Sequence, residues 1–559
     1  MDLGFMAWIK GNRKRVLWSG IIGFIFALLC VWGYRLQNFG YRNNGTKDIV
    51  INILFVLLLS VAWGILVFFL FRYADKHETV FSISNQKKVG IVIFLISWLL
   101  IFCAWIPAFL AYYPCIMSSD FDSQISQVQQ GHAFFTNHHP YLSTLEIELF
   151  YSRIGLRIGD VSKGMACLGI FHMAALSFSF SYLVLTLFRL CNSKKVIAIA
   201  VFMAVFPVNP IIALSTTKDV LFSAGFLAVL CLFVNRFYFI SKRSERIFVD
   251  ILIIVGGILI CSYRNNAVYA WIVAGIFAAL ILKKKERIWV ATVCVVTFLG
   301  YLLFQNCLER ILHVDNSALG SPEMHSIIIQ TFGRTYNEGS DLTDDDRRII
   351  EYYIPADALD DYHPALSDPL KTAVTELTYD SVWQGNTVKL FKDWIKVGVR
   401  HPGEYIDAVL DLTRGFWYLW DDSSATVYGN KLEDRMGMLY TFNSSGYYGM
   451  EEIPNESKAP GIERFYEKLF TGNECLEWPI LNILFRMALY IMLFFLMMAY
   501  LAYSKQKENF VLGLFPLAYS LTLFLGPTAY IRYAFPIMIS VPLYVFVVLF
   551  AHKKSEEKG

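Results

Sequence analysis

Long apolar runs separated by short polar turns fill most of this chain. They fall at 16–34, 49–71, 89–112, 164–188, 196–214, 220–240, 247–263, 267–282, 288–304, 480–503, 510–525 and 534–551. Each is close to the length an α-helix needs to cross a bilayer, so the pattern predicts an all-α polytopic membrane protein with about 12 transmembrane helices. Pro207 and Pro210 interrupt the fifth run, and proline breaks the hydrogen-bond ladder of a helix interior. Lys10, Arg13, Lys14 and Arg15 precede the first run, which lacks a small-residue cleavage site and therefore reads as a retained span with a cytoplasmic N-terminus.

The one long interruption is 305–478, between the ninth and tenth runs. It holds 30 of the 46 acidic residues of the chain against 15 basic ones. Thr343 followed by Asp344, Asp345 and Asp346 is a helix N-terminal signal, and helical patterning covers 343–353 and 402–420. The second stretch ends in Trp417-Tyr418-Leu419-Trp420, an aromatic run of interfacial character. The expected organisation is a membrane core over 1–304 with a polar loop at 113–163, a mainly helical acidic domain over 305–478, and C-terminal membrane helices over 479–559.

Composition agrees: 56% hydrophobic and 17% charged residues leave too little polar surface for a soluble fold of 559 residues. Alternating from an inside N-terminus, the inside segments carry 24 Lys and Arg and the short outside segments nine. Both termini are then cytoplasmic, and the acidic domain and the 113–163 loop are outside a cell membrane. Cys307 and Cys475 bracket the acidic domain, which leaves a disulfide between them open. The sequons at Asn44, Asn443 and Asn455 would matter only in a eukaryotic secretory pathway. There is no zinc spacing, glycine-rich phosphate loop, internal repeat or nucleic-acid motif.

The candidate chemistry lies in the outer turns. Asp120 and Gln124 are four residues apart and would share a helix face, with Asp122 elsewhere and Asn137, His138, His139 and Pro140 following. Lys218 and Asp219 open the sixth run, Arg264, Asn265 and Asn266 make a tight turn, and Arg532-Tyr533 opens the last. Singly, these read as a helix cap, a local ion pair, a polar hairpin and an interfacial anchor. Jointly, these outer turns supply carboxylates and cations on one side of the membrane, and no comparable set faces the other. Arg and Lys clamp phosphate, while a carboxylate takes a proton from an acceptor hydroxyl.

On these residues the chain resembles the GT-C class of membrane glycosyltransferases, which use polyprenyl-phosphate sugars at the outer leaflet. Asp120 matches the essential acid of its first external loop, Asp219 a later acidic position, and Arg532-Tyr533 a sequence before the last spans. It looks closer still to a family of Gram-positive polytopic proteins patterned Pro-Gly, Asp, Gln, Asn-His-His-Pro and Lys-Asp. Pro114, Asp120, Gln124, Asn137 to Pro140 and Lys218-Asp219 fit, whereas Cys115 replaces the Gly and Phe121 stands where the wider class has a second acid.

The resemblance implies transfer of a sugar from a polyprenyl-phosphate donor to an envelope glycan or lipid-linked acceptor. Asp120 would be general base, His138 and His139 would orient or share its proton, and Asp219 would position Lys218 or an acceptor hydroxyl. Lys218, Arg264, Arg532 and Tyr533 would hold donor phosphate, with Asp122, Gln124, Asn137, Asn265 and Asn266 in support. The 417–420 run would close over the acceptor. A divalent metal fits the class but is not required by these residues, and no nucleic-acid partner is implied. The alternative is a polysaccharide or lipid flippase without catalysis; span interiors hold almost no ionisable residue except His172, which favours the enzyme.

Overall fold

The computed structural model describes residues 11–77, 87–314, 325–377, 382–383, 386–421, 453, 456–470 and 474–551. Asn443, Asn455 and part of the acidic domain lie outside the described residues. Every element among the described residues is helical, apart from three isolated bridges. In chain order the first helices are α1 (Arg13–Phe39), α2 (Thr46–His77), α3 (Lys87–Ala111), α4 (Ser119–Gln130), α5 (Tyr141–Glu148) and α6 (Val161–Cys191). Then come α7 (Ile197–Val205), α8 (Val208–Leu214), α9 (Asp219–Tyr238), α10 (Arg243–Tyr263), α11 (Asn265–Ile281) and α12 (Lys284–Leu312). The acidic domain contributes α13 (Ser326–Glu338), α14 (Asp344–Tyr353), α15 (Thr387–Arg400) and α16 (Pro402–Leu412), and the chain ends with α17 (Met487–Tyr503), α18 (Leu514–Leu523) and α19 (Ile531–Phe550).

Eight of these helices are long and apolar enough to cross a membrane: α1, α2, α3, α6, α9, α10, α12 and α19. The chain is a multi-pass membrane protein. All twelve apolar runs form helix, but α11, α17 and α18 are only 10–17 residues long, so length alone supports eight spans, or nine with the bent pair α7–α8. That pair bends by 62° at Pro207. Proline has no N–H for the Met203 carbonyl one turn back, and the Asn209 side-chain amide donates to that oxygen instead, at 2.8 Å.

One large core ties α1–α3 and α6–α12 to α17–α19. α1 and α2 cross closely because glycine faces glycine: a Cβ on Gly23 would come within 2.5 Å of the Gly64 backbone. The N-terminal end of α1 pairs Arg15 with Asp75 of α2 at 2.7 Å, and Tyr500 of α17 donates to the same carboxylate at 2.9 Å.

The acidic domain has a core of its own around Phe332, Ile350, Tyr353, Trp383 and Leu390. The predicted start of α14 is a capping box, with the Thr343 hydroxyl and the Asp346 carboxylate exchanging contacts with each other's backbone. Two arginines, Arg334 buried and Arg42 partly buried, fasten the domain to the bundle. Arg334 reaches Asp411 at 3.1 Å and the carbonyl of Gly40 just past α1, and Arg42 pairs with Asp407. Two backbone contacts pin it further: Ser367 N–H donates to Pro527 O at 3.0 Å, and Lys458 N–H to Leu110 O at 2.7 Å.

One expectation needs correction here, and one open question is answered. The helix expected over 402–420 ends at Leu412, and Trp417 and Tyr418 pack on Leu36 of α1 instead of lying open above a site. Gly33 makes room for the Tyr418 ring, and Trp420 alone of the 417–420 run is exposed, at 53%. No disulfide joins Cys307, exposed on α12, to Cys475, which is buried in the main core.

Candidate active site

Two chain segments lie side by side before α4 and α9. Ile116 N–H donates to Leu214 O and Thr216 N–H to Ile116 O, both at 2.9 Å, which makes a single parallel bridge. Ser118 N–H adds a bond to Thr216 Oγ1 at 3.0 Å. Each segment then turns into a helix, and the residues two positions past the stitch, Asp120 and Lys218, come face to face. Lys218 Nζ donates to Asp120 Oδ2 at 3.2 Å.

Arg532, in the first turn of α19, approaches the same carboxylate from the other side, with Nη1–Oδ2 at 3.4 Å and Nη2–Oδ1 at 3.5 Å. Asp219 is the first residue of α9, where the helix N-terminus favours a negative charge. It is 1% exposed; Arg264 Nε stands 2.7 Å from its Oδ1 and Arg532 Nε 4.0 Å from its Oδ2. Both are ion pairs by distance without hydrogen-bond alignment.

Arg264 occupies the one-residue extended link between α10 and α11. Its Nη1 donates to the Tyr519 hydroxyl at 2.9 Å, and its guanidinium lies 4.6 Å from the Tyr533 ring centroid. Tyr519 passes its own hydrogen to the Tyr533 carbonyl at 3.0 Å, and Arg532 Nη2 donates to the Tyr533 hydroxyl at 3.2 Å. The charges therefore alternate: Lys218, Asp120, Arg532, Asp219, Arg264. Three cations meet two carboxylates, and one positive charge is left over in a largely buried cluster.

Burial alone would raise the Asp120 carboxyl, but Arg532 and Lys218 overcome it and hold the group well below the usual carboxylate range. His139 is buried beside this cluster, with Nδ1 lacking a hydrogen-bond partner. Burial first, and then the Lys218 charge, push its imidazole down to about 3, so it is neutral. His138 is exposed and packs edge-on against His139 at 4.5 Å.

The supporting residues divide. Asn265 Nδ2 donates to the Asn137 carbonyl at 3.1 Å, which ties the histidine loop to the Arg264 turn, and the Asn265 Oδ1 is buried without a partner. Asn266 bonds Thr522 at 2.9 Å. Gln124 turns away from the cluster to donate to Ser143 at 2.8 Å and Thr144 at 3.2 Å on α5. Asp122 is half-buried with one unpartnered oxygen, and burial raises its carboxyl. Glu146, Tyr263, Thr216 and Tyr519 were not singled out in the sequence; the only signal was the pair of acids, Glu146 and Glu148, in α5.

Asp120 and Asp219 face cations, and among the described residues no three His, Cys, Asp or Glu side chains converge. That donor set does not make a divalent-ion site.

Residues 128–559 match DUF6020, a family of unknown function. The chain belongs to this family. The matched span takes in His138, His139, Lys218, Asp219, Arg264 and Arg532, and begins after Asp120. No curated protein and no solved structure matches the chain.

Proposed function

We propose that this DUF6020 protein is an integral membrane glycosyltransferase of GT-C type, taking a sugar from a polyprenyl-phosphate donor to an envelope glycan or lipid-linked acceptor. The observation that carries the reading is the uncompensated positive charge of the Lys218–Asp120–Arg532–Asp219–Arg264 cluster. A buried excess cation is costly unless an anion joins it, and a phosphodiester or phosphate is the anion that two arginines and a lysine hold best.

The resting carboxylate of Asp120 occupies the cations that the donor needs. Arriving phosphate takes over Lys218 and Arg532 and releases Asp120 as a proton acceptor. The acceptor hydroxyl then bonds to the anomeric carbon, the bond from that carbon to the phosphate oxygen breaks, and the electron pair leaves on a phosphate held by Arg264, Arg532 and Lys218. The hydroxyl proton goes to Asp120. His139, neutral, orients the hydroxyl, and Asp219 keeps the two arginines in place.

In this reading the chain crosses the membrane twelve times, the Lys- and Arg-rich segments are cytoplasmic, and the site opens outside a plasma membrane beneath the acidic domain. The clamp of Ser367 on Pro527, five residues before Arg532, puts that domain in contact with a site-bearing turn. A flippase would want its ionisable residues midway through the bundle, whereas the buried Glu146–His172 pair lies against Ser215, beside the site. Mass spectrometry of envelope glycans from a deletion strain and its parent tests the proposal. Loss of a glycosyl unit is expected, and an unchanged glycan profile with normal donor turnover by membranes overturns it.

A further inference from the structure

Behind the loop that carries Lys218 and Asp219 is a buried ionisable pair that the proposed reaction does not use. His172, on α6, has a side chain 2% exposed, and Glu146, on α5, one 10% exposed. The imidazole bridges two partners, with Nδ1 3.0 Å from the Ser215 carbonyl oxygen and Nε2 2.7 Å from Glu146 Oε1. The Tyr263 hydroxyl donates to Glu146 Oε2 at 3.3 Å.

Hydrogen accounting fixes what this bridge contains. A carbonyl oxygen only accepts, so Nδ1 carries a hydrogen. The short contact from Nε2 to Oε1 needs a second one, because a bare ring nitrogen and a bare carboxylate would meet lone pair to lone pair. Arg264 follows Tyr263 in the chain, yet its guanidinium is turned to Asp219 and Tyr519 and not to Glu146.

Ser215 is the residue opposite Ile116 in the parallel bridge, and Lys218 follows three positions later. α5 therefore braces both halves of the site. It holds α4, and with it Asp120, through Gln124, and it holds the Lys218 loop through His172.

Building on the phosphate reading above, we propose that Glu146 and His172 are positioning residues, which set the Lys218–Asp219 loop against Asp120 through a hydrogen-bonded bridge that runs from Glu146 by way of the imidazole to the Ser215 carbonyl.

The test compares full-length parent, His172→Ala, Glu146→Ala and Glu146→Gln, purified in one detergent, with farnesyl phosphate as probe. Affinity is read by calorimetry and integrity by melting temperature. Glutamine keeps an amide hydrogen for His172 Nε2 and so preserves the bridge without the carboxylate, whereas alanine removes it. Both alanine variants are expected to bind the probe about tenfold more weakly, and Glu146→Gln to return to the parent value. Should the alanine variants fail to fold, His172→Asn, which keeps a donor for Ser215 and loses Glu146, takes their place and is expected to bind as weakly.

Parent-like binding by the variants that break the bridge overturns the proposal, as does Glu146→Gln binding as poorly as Glu146→Ala. If farnesyl phosphate binds none of the proteins, parent included, it is the phosphate reading that fails. The positioning role is then decided without ligand, by thiol labelling of Thr217→Cys read by peptide mass spectrometry. Faster labelling in the Glu146→Ala background than in the parent or Glu146→Gln supports the role, and equal rates overturn it.

Discussion

Asp120 and Lys218 are 98 residues apart in the chain and meet at 3.2 Å because Ile116 and Ser215, a few residues before them, are bridged in parallel. The site is thus held by backbone as well as by charge. An ion pair set only by long flexible side chains would be weak and easily rearranged, whereas this one starts from helix termini fixed by three short hydrogen bonds.

The first prediction concerns Asp120→Asn. The amide keeps the shape and cannot accept a proton, so transfer should fall by two to four decades, on the order of 10²–10⁴-fold. It also stops competing for Lys218 and Arg532, so farnesyl phosphate should bind more tightly than to the parent. Turnover and calorimetry on purified protein check both. Full turnover, or weaker probe binding, would remove Asp120 from the role given to it.

Arg264→Lys is predicted to be a severe change despite conserving charge. The guanidinium meets Asp219, Tyr519 and the Tyr533 ring at once, and an ammonium cannot span all three. Removing a partner from a buried pair costs roughly 3–5 kcal/mol when a charge is stranded. Arg264→Gln, which leaves Asp219 only the longer 4.0 Å approach of Arg532, should therefore lower the melting temperature more than Arg264→Lys. The same pair of substitutions at the exposed Arg157 should do nothing measurable.

Much of the fold was readable from the sequence because hydrocarbon periodicity is a strong signal: every apolar run is helical. What could not be read is where backbone polar groups find partners. The 62° break at Pro207 depends on Asn209 reaching the Met203 carbonyl, and the burial of Tyr418 depends on Gly33 of a helix almost four hundred residues earlier. The charged residues of the site were legible as outer-turn charges, and the structure brings Asp120, Lys218, Asp219, Arg264 and Arg532 together. Their order was not, since it follows from the Ile116–Ser215 bridge. Gln124 shares a helix with Asp120 yet serves α5, because serine and threonine there offer closer partners.

Topology gives a third test. In intact cells, a thiol reagent that cannot cross the membrane should label a cysteine placed at Asp345 and leave one at Lys284 unlabelled, each introduced singly and read by peptide mass. The reverse pattern would put the site on the cytoplasmic side and end the outer-leaflet donor reading.

The last prediction is a pH dependence carried by His139. Its imidazole is lowered to about 3 in the folded protein, against about 6.5 for an unfolded chain. Between those values the unfolded chain binds a proton that the folded one refuses, so stability should rise with pH across that window and be lost as the solution is acidified below about pH 6.5. The loss should approach about 1 kcal/mol per pH unit inside the window. Asp120 acts in the same direction but lower, because its carboxyl sits well below the usual range and its pairing with Arg532 and Lys218 is lost only as pH falls through that depressed value. The two contributions separate on mutation. His139→Asn removes a group that titrates between about pH 6.5 and about pH 3 and should flatten the upper part of the melting-temperature profile while leaving its steep acid end. A profile identical to the parent's from about pH 6.5 down to about pH 4.5 would show that His139 does not resist protonation in the folded protein.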